Sequence, residues 1–124
     1  MKQNFYKIYH NSRCSKSRKA LELLKLKTEN YKIIKYLEVG IDVNELSSII
    51  NSKDIPKDNL IRKNEITFKK LNLSKIELND NEIKKLIVKN PILLQRPLIT
   101  KYIDGLLVNS VIGRPPETLN TLFN

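Results

Sequence analysis

Only one cysteine occurs among the 124 residues, Cys14, so no internal disulfide can hold the fold together. The single histidine, His10, is equally isolated, and no Cys-x-x-Cys or His-x-x-x-His spacing exists, which excludes the usual metal centres. Glycine is scarce too: Gly40, Gly105 and Gly113 stand far apart, and no glycine-rich phosphate loop can form. No apolar run approaches the roughly 20 residues that a membrane helix requires. Met1-Lys2-Gln3-Asn4 leads into the first strand without the apolar core and cleavage site of a secretory leader, so the expectation is a cytoplasmic protein without a membrane partner. Runs of basic residues never exceed two. That scarcity decides how the net charge of +10 is read: 18 Lys and 5 Arg are scattered as a solvated basic surface, and no specific nucleic-acid partner is expected.

What is present suffices for one ordinary domain. Phe5–Tyr9 reads as a strand, and Ala20, Leu21, Leu23, Leu24 and Leu26 mark an amphipathic helix. Tyr31–Leu37 has the aromatic and β-branched content of a second strand, which makes a βαβ unit with parallel pairing. Asp42 is a natural N-cap for a helix over Val43–Ile50, and Lys53–Asp58 reads as a loop. A short helix follows over Glu65–Leu71. Asn79 or Asp80 caps another helix, which buries Ile83, Leu86, Ile87 and Val88 and stops at Pro91. No strand is expected between about residues 40 and 93.

Strand character returns in Leu98–Tyr102 and Leu106–Asn109, which flank the hairpin signal Asp104-Gly105. Gly113–Glu117 turns the chain into a last short helix with Leu119, Leu122 and Phe123 inward. The assembled order predicts an α/β protein with a mixed four-stranded sheet flanked by helices. This is a thioredoxin-like fold, a single domain over 1–124 with a helical insertion at about 40–93 between the βαβ and ββα halves.

Cys14 lies where the first strand hands over to the first helix. A free thiol has a pKa of about 8.5, which falls to roughly 3.5–7.5 at a helix N-terminus or beside a cation. Free amides at the helix start supply part of that stabilisation. Ser15 and Ser17 can each offer a hydroxyl to the sulfur, His10 can contribute positive charge or orient the thiol, and Asn11 can brace the turn. Arg18 is expected on the helix surface. In a chain that otherwise uses Lys, the five arginines stand out. Arg62, Arg96 and Arg114 occur in the contexts Arg-Lys-Asn, Arg-Pro-Leu and Arg-Pro-Pro. A planar guanidinium can hold an oxyanion through two parallel hydrogen bonds, which Lys cannot, so these residues suggest an anionic substrate or a stabilised thiolate.

The segments His10–Arg18, Leu60–Asn64, Asn90–Pro97 and Ile112–Glu117 together resemble, in order, the four motifs of the glutathione/glutaredoxin-coupled arsenate reductase family (ArsC), over nearly the whole chain. The resemblance implies that Cys14 attacks arsenate to form a thiol–arsenate adduct. It also implies that Arg62, Arg96 and Arg114 handle the anion, that His10 helps lower the cysteine pKa, and that Ser17 lies near the sulfur. Pro97 falls where the family places a cis proline facing the site. No bound cofactor is implied; glutathione, as an external reductant, and glutaredoxin complete the reduction to arsenite. A single cysteine suits that scheme, because an outside thiol must then finish the electron transfer. Ser12 stands where the family usually has proline, which loosens the turn before Cys14. Two other functions go with this fold. A regulator of the Spx type, which binds RNA polymerase, usually carries a Cys-x-x-Cys switch, whereas Asn11 and Ser17 occupy the positions a second cysteine would need. A related glutathione-dependent thiol reductase could use the same arginines to bind a glutathione carboxylate.

Overall fold

The computed structural model describes residues 3–73 and 77–123. The chain divides into two compact units, Met1–Val39 with Arg96–Asn124, and Gly40–Gln95. The first unit contains β1 (Asn4–Tyr9), α1 (Ser15–Lys27), β2 (Tyr31–Ile34), α2 (Tyr36–Val39), β3 (Leu98–Ile103), β4 (Leu106–Ile112) and a closing 3-10 helix, Pro116–Phe123. Its sheet has the order β2-β1-β3-β4, with β1 parallel to β2, β1 antiparallel to β3, and β3 antiparallel to β4. This is the mixed sheet of a thioredoxin-like fold.

Alternation along the strands creates the core. Tyr6 and Ile8 of β1 and Ile99 of β3 pack with Ala20 and Leu24 of α1 and with Leu119 and Leu122 of the closing helix. Each fully buried Leu or Ile contributes about 1.5–3 kcal/mol relative to exposure. The closing helix is further tied down by Phe123, whose ring stacks on Tyr6 at 4.6 Å, and by Lys101 Nζ, which donates to the Leu122 carbonyl at 2.7 Å. The β3–β4 turn uses Asp104 (φ 52) and Gly105 (φ 83), both left-handed as a two-residue hairpin turn requires.

Several boundaries differ from expectation. β2 stops at Ile34 instead of running through Leu37, because its partner runs out: Tyr9↔Ile34 is the last register pair, and the His10 amide closes on the Ile34 carbonyl. Tyr36 and Leu37 therefore turn into α2, with Tyr36 buried. β4 extends to Ile112, past Asn109. The final helix is 3-10, although Leu119 and Leu122 are buried as expected.

The second unit contains α3 (Val43–Ser52), α4 (Lys57–Leu60), α5 (Ile66–Lys70), α6 (Asp80–Lys89) and a 3-10 turn, Pro91–Leu93. Asp42 caps α3 by accepting from the Asn44 and Glu45 amides, at 2.8 and 3.0 Å. Asn79, not Asp80, caps α6, in a reciprocal box with Glu82. Lys57 and Asp58, read as loop, begin α4 immediately after Pro56, whose fixed φ suits a helix entry. An antiparallel bridge, Ile61↔Leu94, closes the unit, with the Gln95 amide donating to the Leu60 carbonyl.

Candidate active site

β1 ends at Tyr9 and the chain turns over residues 10–13 before α1 begins. The turn is held by its own polar groups: Asn11 Oδ1 accepts the Arg13 amide at 3.0 Å, and the Asn11 carbonyl accepts the Cys14 amide at 3.0 Å. Arg18 lies on the helix surface as expected, but its guanidinium folds back to the Ser12 carbonyl at 2.9 Å. This contact fastens the turn at the residue where proline is absent.

Cys14 is the N-cap of α1 and is half-buried. Its side chain closes no short capping hydrogen bond, yet it sits where the free amides of the first turn converge. Burial pushes the thiol pKa up. The Ser17 amide, the Arg96 charge, the Lys16 amide and a hydrogen bond from the Arg96 side chain outweigh it, so the thiol is held below its ordinary value. Arg114 Nη1 lies 3.9 Å from Cys14 Sγ and donates to the Arg96 carbonyl at 3.2 Å.

The hairpin explains how Arg96 and Arg114 meet. Leu98↔Ile112 is the first register pair of β3 and β4, and the Gly113 amide donates to the Pro97 carbonyl at 2.8 Å. The two arginines flank that closing contact. β1 pairs with β3 through Tyr9↔Leu98, which brings the end of β1 to the same end of the sheet. The Arg96–Pro97 peptide is cis, and so is Arg114–Pro115, which nothing in the sequence marks. Gly113 matters for closeness of approach: a Cβ there would meet Pro97 Cγ at 2.9 Å and Ile99 Cδ1 at 3.0 Å. Gly113→Ala should therefore cost about 1–3 kcal/mol of stability, measured by urea denaturation, because the proline ring cannot swing aside.

The two serines and the histidine are divided between the sulfur and the turn. The Ser17 side chain is fully buried; its Oγ accepts the Asn11 amide at 3.0 Å and lies 2.7 Å from His10 Nδ1. Ser17 thus faces the sulfur with its amide, and its hydroxyl is committed to the turn. His10 is buried, and its pKa is lowered by that burial and then by Lys35, Arg18 and Lys25. Of the two expectations for His10, burial works against a positive charge, and the bond to Ser17 gives it an orienting contact. Ser15 is the exposed first residue of α1.

Arg62 belongs to the second unit. Its amide donates to the Leu93 carbonyl at 2.7 Å, its Nη1 reaches the Ile92 carbonyl at 3.3 Å, and it pairs with Glu65 at 3.1 Å. Among the described residues no group of three His, Cys, Asp or Glu could hold a metal ion, and no helix is long and apolar enough to cross a membrane.

A half-buried, activated thiol between helix amides and two guanidinium groups is equipped to attack an oxyanion. The family model described as "ArsC family" matches residues 9–122. The chain belongs to the ArsC family. ArsC relatives cover almost its full length. It is 39% identical over 113 residues to an arsenate reductase of Haemophilus influenzae, covering 90% of this chain and 93% of the relative. It is 37% identical over 112 residues to the uncharacterised Escherichia coli protein YfgD, covering 90% of each. A solved arsenate reductase of Vibrio cholerae superposes with a TM-score of 0.79 at 32% identity, covering 94% of this chain and 95% of that one. His10, Asn11, Cys14, Ser17, Arg96, Pro97 and Arg114 all lie in the first unit of this ArsC chain, whereas Arg62 lies in the second.

Proposed function

We propose that the chain is an arsenate reductase in which Cys14 is the nucleophile and glutathione with glutaredoxin supplies the electrons. The observation that carries the reading is the Cys14 sulfur set against the first-turn amides, Arg96 and Arg114, in a family whose relatives include arsenate reductases. The thiolate attacks As(V), an S–As bond forms, and one arsenate oxygen leaves as water. A glutathione thiolate then attacks Cys14 Sγ. The S–As electron pair passes to arsenic, arsenite departs, and a mixed disulfide remains on Cys14. A glutaredoxin thiolate attacks the glutathione sulfur of that disulfide and releases the Cys14 thiolate. Two thiols thus become one disulfide as arsenate becomes arsenite and water.

Arg96 and Arg114 present charge to an anion whose negative charge must approach a thiolate, which answers the repulsion between them. His10 acts through Ser17, by holding the residue whose amide faces the sulfur. Arg62 enters the reading through its motif alone. A cytoplasmic setting goes with it, since the glutathione pool keeps thiols reduced there. The test is steady-state arsenite formation with glutathione and glutaredoxin, set against thioredoxin as sole donor. Turnover is expected with the first. Full turnover with thioredoxin alone would reject the donor, and no turnover with either would reject the substrate.

A further inference from the structure

The segment around Cys14 breaks a local rule of helix electrostatics. Residues 12–21 carry Arg13, Lys16, Arg18 and Lys19 and no acidic residue, and α1 has no acid in its first turn. Helix N-termini favour acids there, because the dipole and free amides are positive. Ser17, Ala20 and Leu24 define the buried face of α1, so Lys16 and Lys19 spread over its exposed face, and all four cations are exposed. Arg18 is committed to the Ser12 carbonyl. Lys19 meets Glu22 only at 3.7 Å in an exposed pair, and neither Arg13 nor Lys16 makes an ion pair among the described residues. Like charges gathered without counter-ions at the positive end of a helix oppose folding, and such departures mark functional surfaces.

Arg13 directly precedes Cys14, and Lys16 and Lys19 follow it within the first five residues of α1, all of them exposed. A small thiol needs no such collar. A folded donor that delivers its thiol to Cys14 must lay the rim of its own active site across Arg13, Lys16 and Lys19. We propose that this basic collar docks a thiol-donating protein whose active-site rim is acidic, and that it steers the step which frees Cys14 from its mixed disulfide. The inference rests on the reading that an external protein thiol regenerates Cys14. In that step the donor thiolate attacks the outer sulfur, the S–S bond breaks, and the electron pair leaves on Cys14.

The test starts from the chain carrying glutathione on Cys14 and contains no arsenate, so its failure and that of the arsenate reading are distinguishable. Release of the Cys14 thiol is timed with an acidic-rimmed glutaredoxin, with the same glutaredoxin after its rim acids are changed to amides, and with dithiothreitol. Salt is varied from about 10 mM to about 1 M, across which the screening length falls from about 30 Å to about 3 Å. Arg13→Glu with Lys19→Glu should slow the acidic donor about tenfold or more at low salt. That loss should vanish at high salt and be absent with dithiothreitol. The variant should stay folded, because both side chains are exposed and Lys19 gives up only a long, exposed pair with Glu22. Equal losses with dithiothreitol, or no loss with the acidic donor, would overturn the proposal. So would salt-sensitive capture of a random-sequence RNA by the wild type with donor kinetics identical in the two proteins.

Discussion

Cys14→Ser should reduce arsenite formation to the rate of arsenate and glutathione alone. The argument is one of electrons as well as nucleophilicity. A serine hydroxyl stays un-ionised far above the range in which a thiol ionises, so the attack on arsenic loses its nucleophile. Even an oxygen adduct would not turn over, because reduction of As(V) needs a sulfur that can pass into a disulfide. With one cysteine in the chain, no second thiol can substitute. Arsenite release, followed with glutathione and glutaredoxin in excess, is the readout. Undiminished turnover in Cys14→Ser would refute the assignment. The variant should fold, since Cys14 is a half-buried N-cap and serine is a favoured residue at that position.

Arg96→Ala should lower kcat/KM for arsenate by about 10²- to 10³-fold, the usual consequence of losing one fixed donor to a developing oxyanion. It should also raise the pKa of Cys14. Arg96 acts on the sulfur through both its charge and a hydrogen bond, so its removal leaves burial opposed by the Ser17 and Lys16 amides and the long Arg114 contact. The sign is definite. Alkylation of the variant by iodoacetamide should be slower than wild type near neutral pH and should approach it only at higher pH, once both thiols are ionised. Arg114→Ala should behave differently. Arg114 Nη1 is shared between the Arg96 carbonyl and a long contact to Sγ, so its loss should appear mainly in arsenate kinetics and only weakly in the alkylation profile. An unchanged alkylation profile for Arg96→Ala would separate Arg96 from thiol activation.

Much of the arrangement is legible in the sequence where the signal is local. β1 and the β3–β4 hairpin follow from alternation and from Asp104-Gly105, and the α3 cap follows from Asp42. Cys14 at the head of α1 follows from a strand next to an amphipathic run. The features that escape are set by partners distant in the chain. Tyr36 and Leu37 carry strand propensity, but β1 ends at Tyr9 and leaves them nothing to pair with. The Ser17 hydroxyl looks available to the sulfur until the fold brings His10 and Asn11 to it. His10 looks like a source of positive charge until its burial is known. The role of Gly113 depends on Pro97 lying across the hairpin, a contact between residues 16 apart in sequence. Arginine context drew attention to Arg62, Arg96 and Arg114 alike. The fold joins Arg96 and Arg114 at Cys14 and pairs Arg62 with Glu65 inside the second unit.

The central claim is that arsenate is reduced at the expense of one bond to Cys14. A single-turnover experiment tests it most directly: the fully reduced chain is mixed with arsenate and glutathione, without glutaredoxin, and examined by intact-protein mass spectrometry while arsenite is quantified. The account predicts one arsenite per chain and one glutathione attached at Cys14, with neither product when arsenate is omitted. Arsenite formed while Cys14 stays a free thiol, or glutathione attached at the same rate without arsenate, would contradict it.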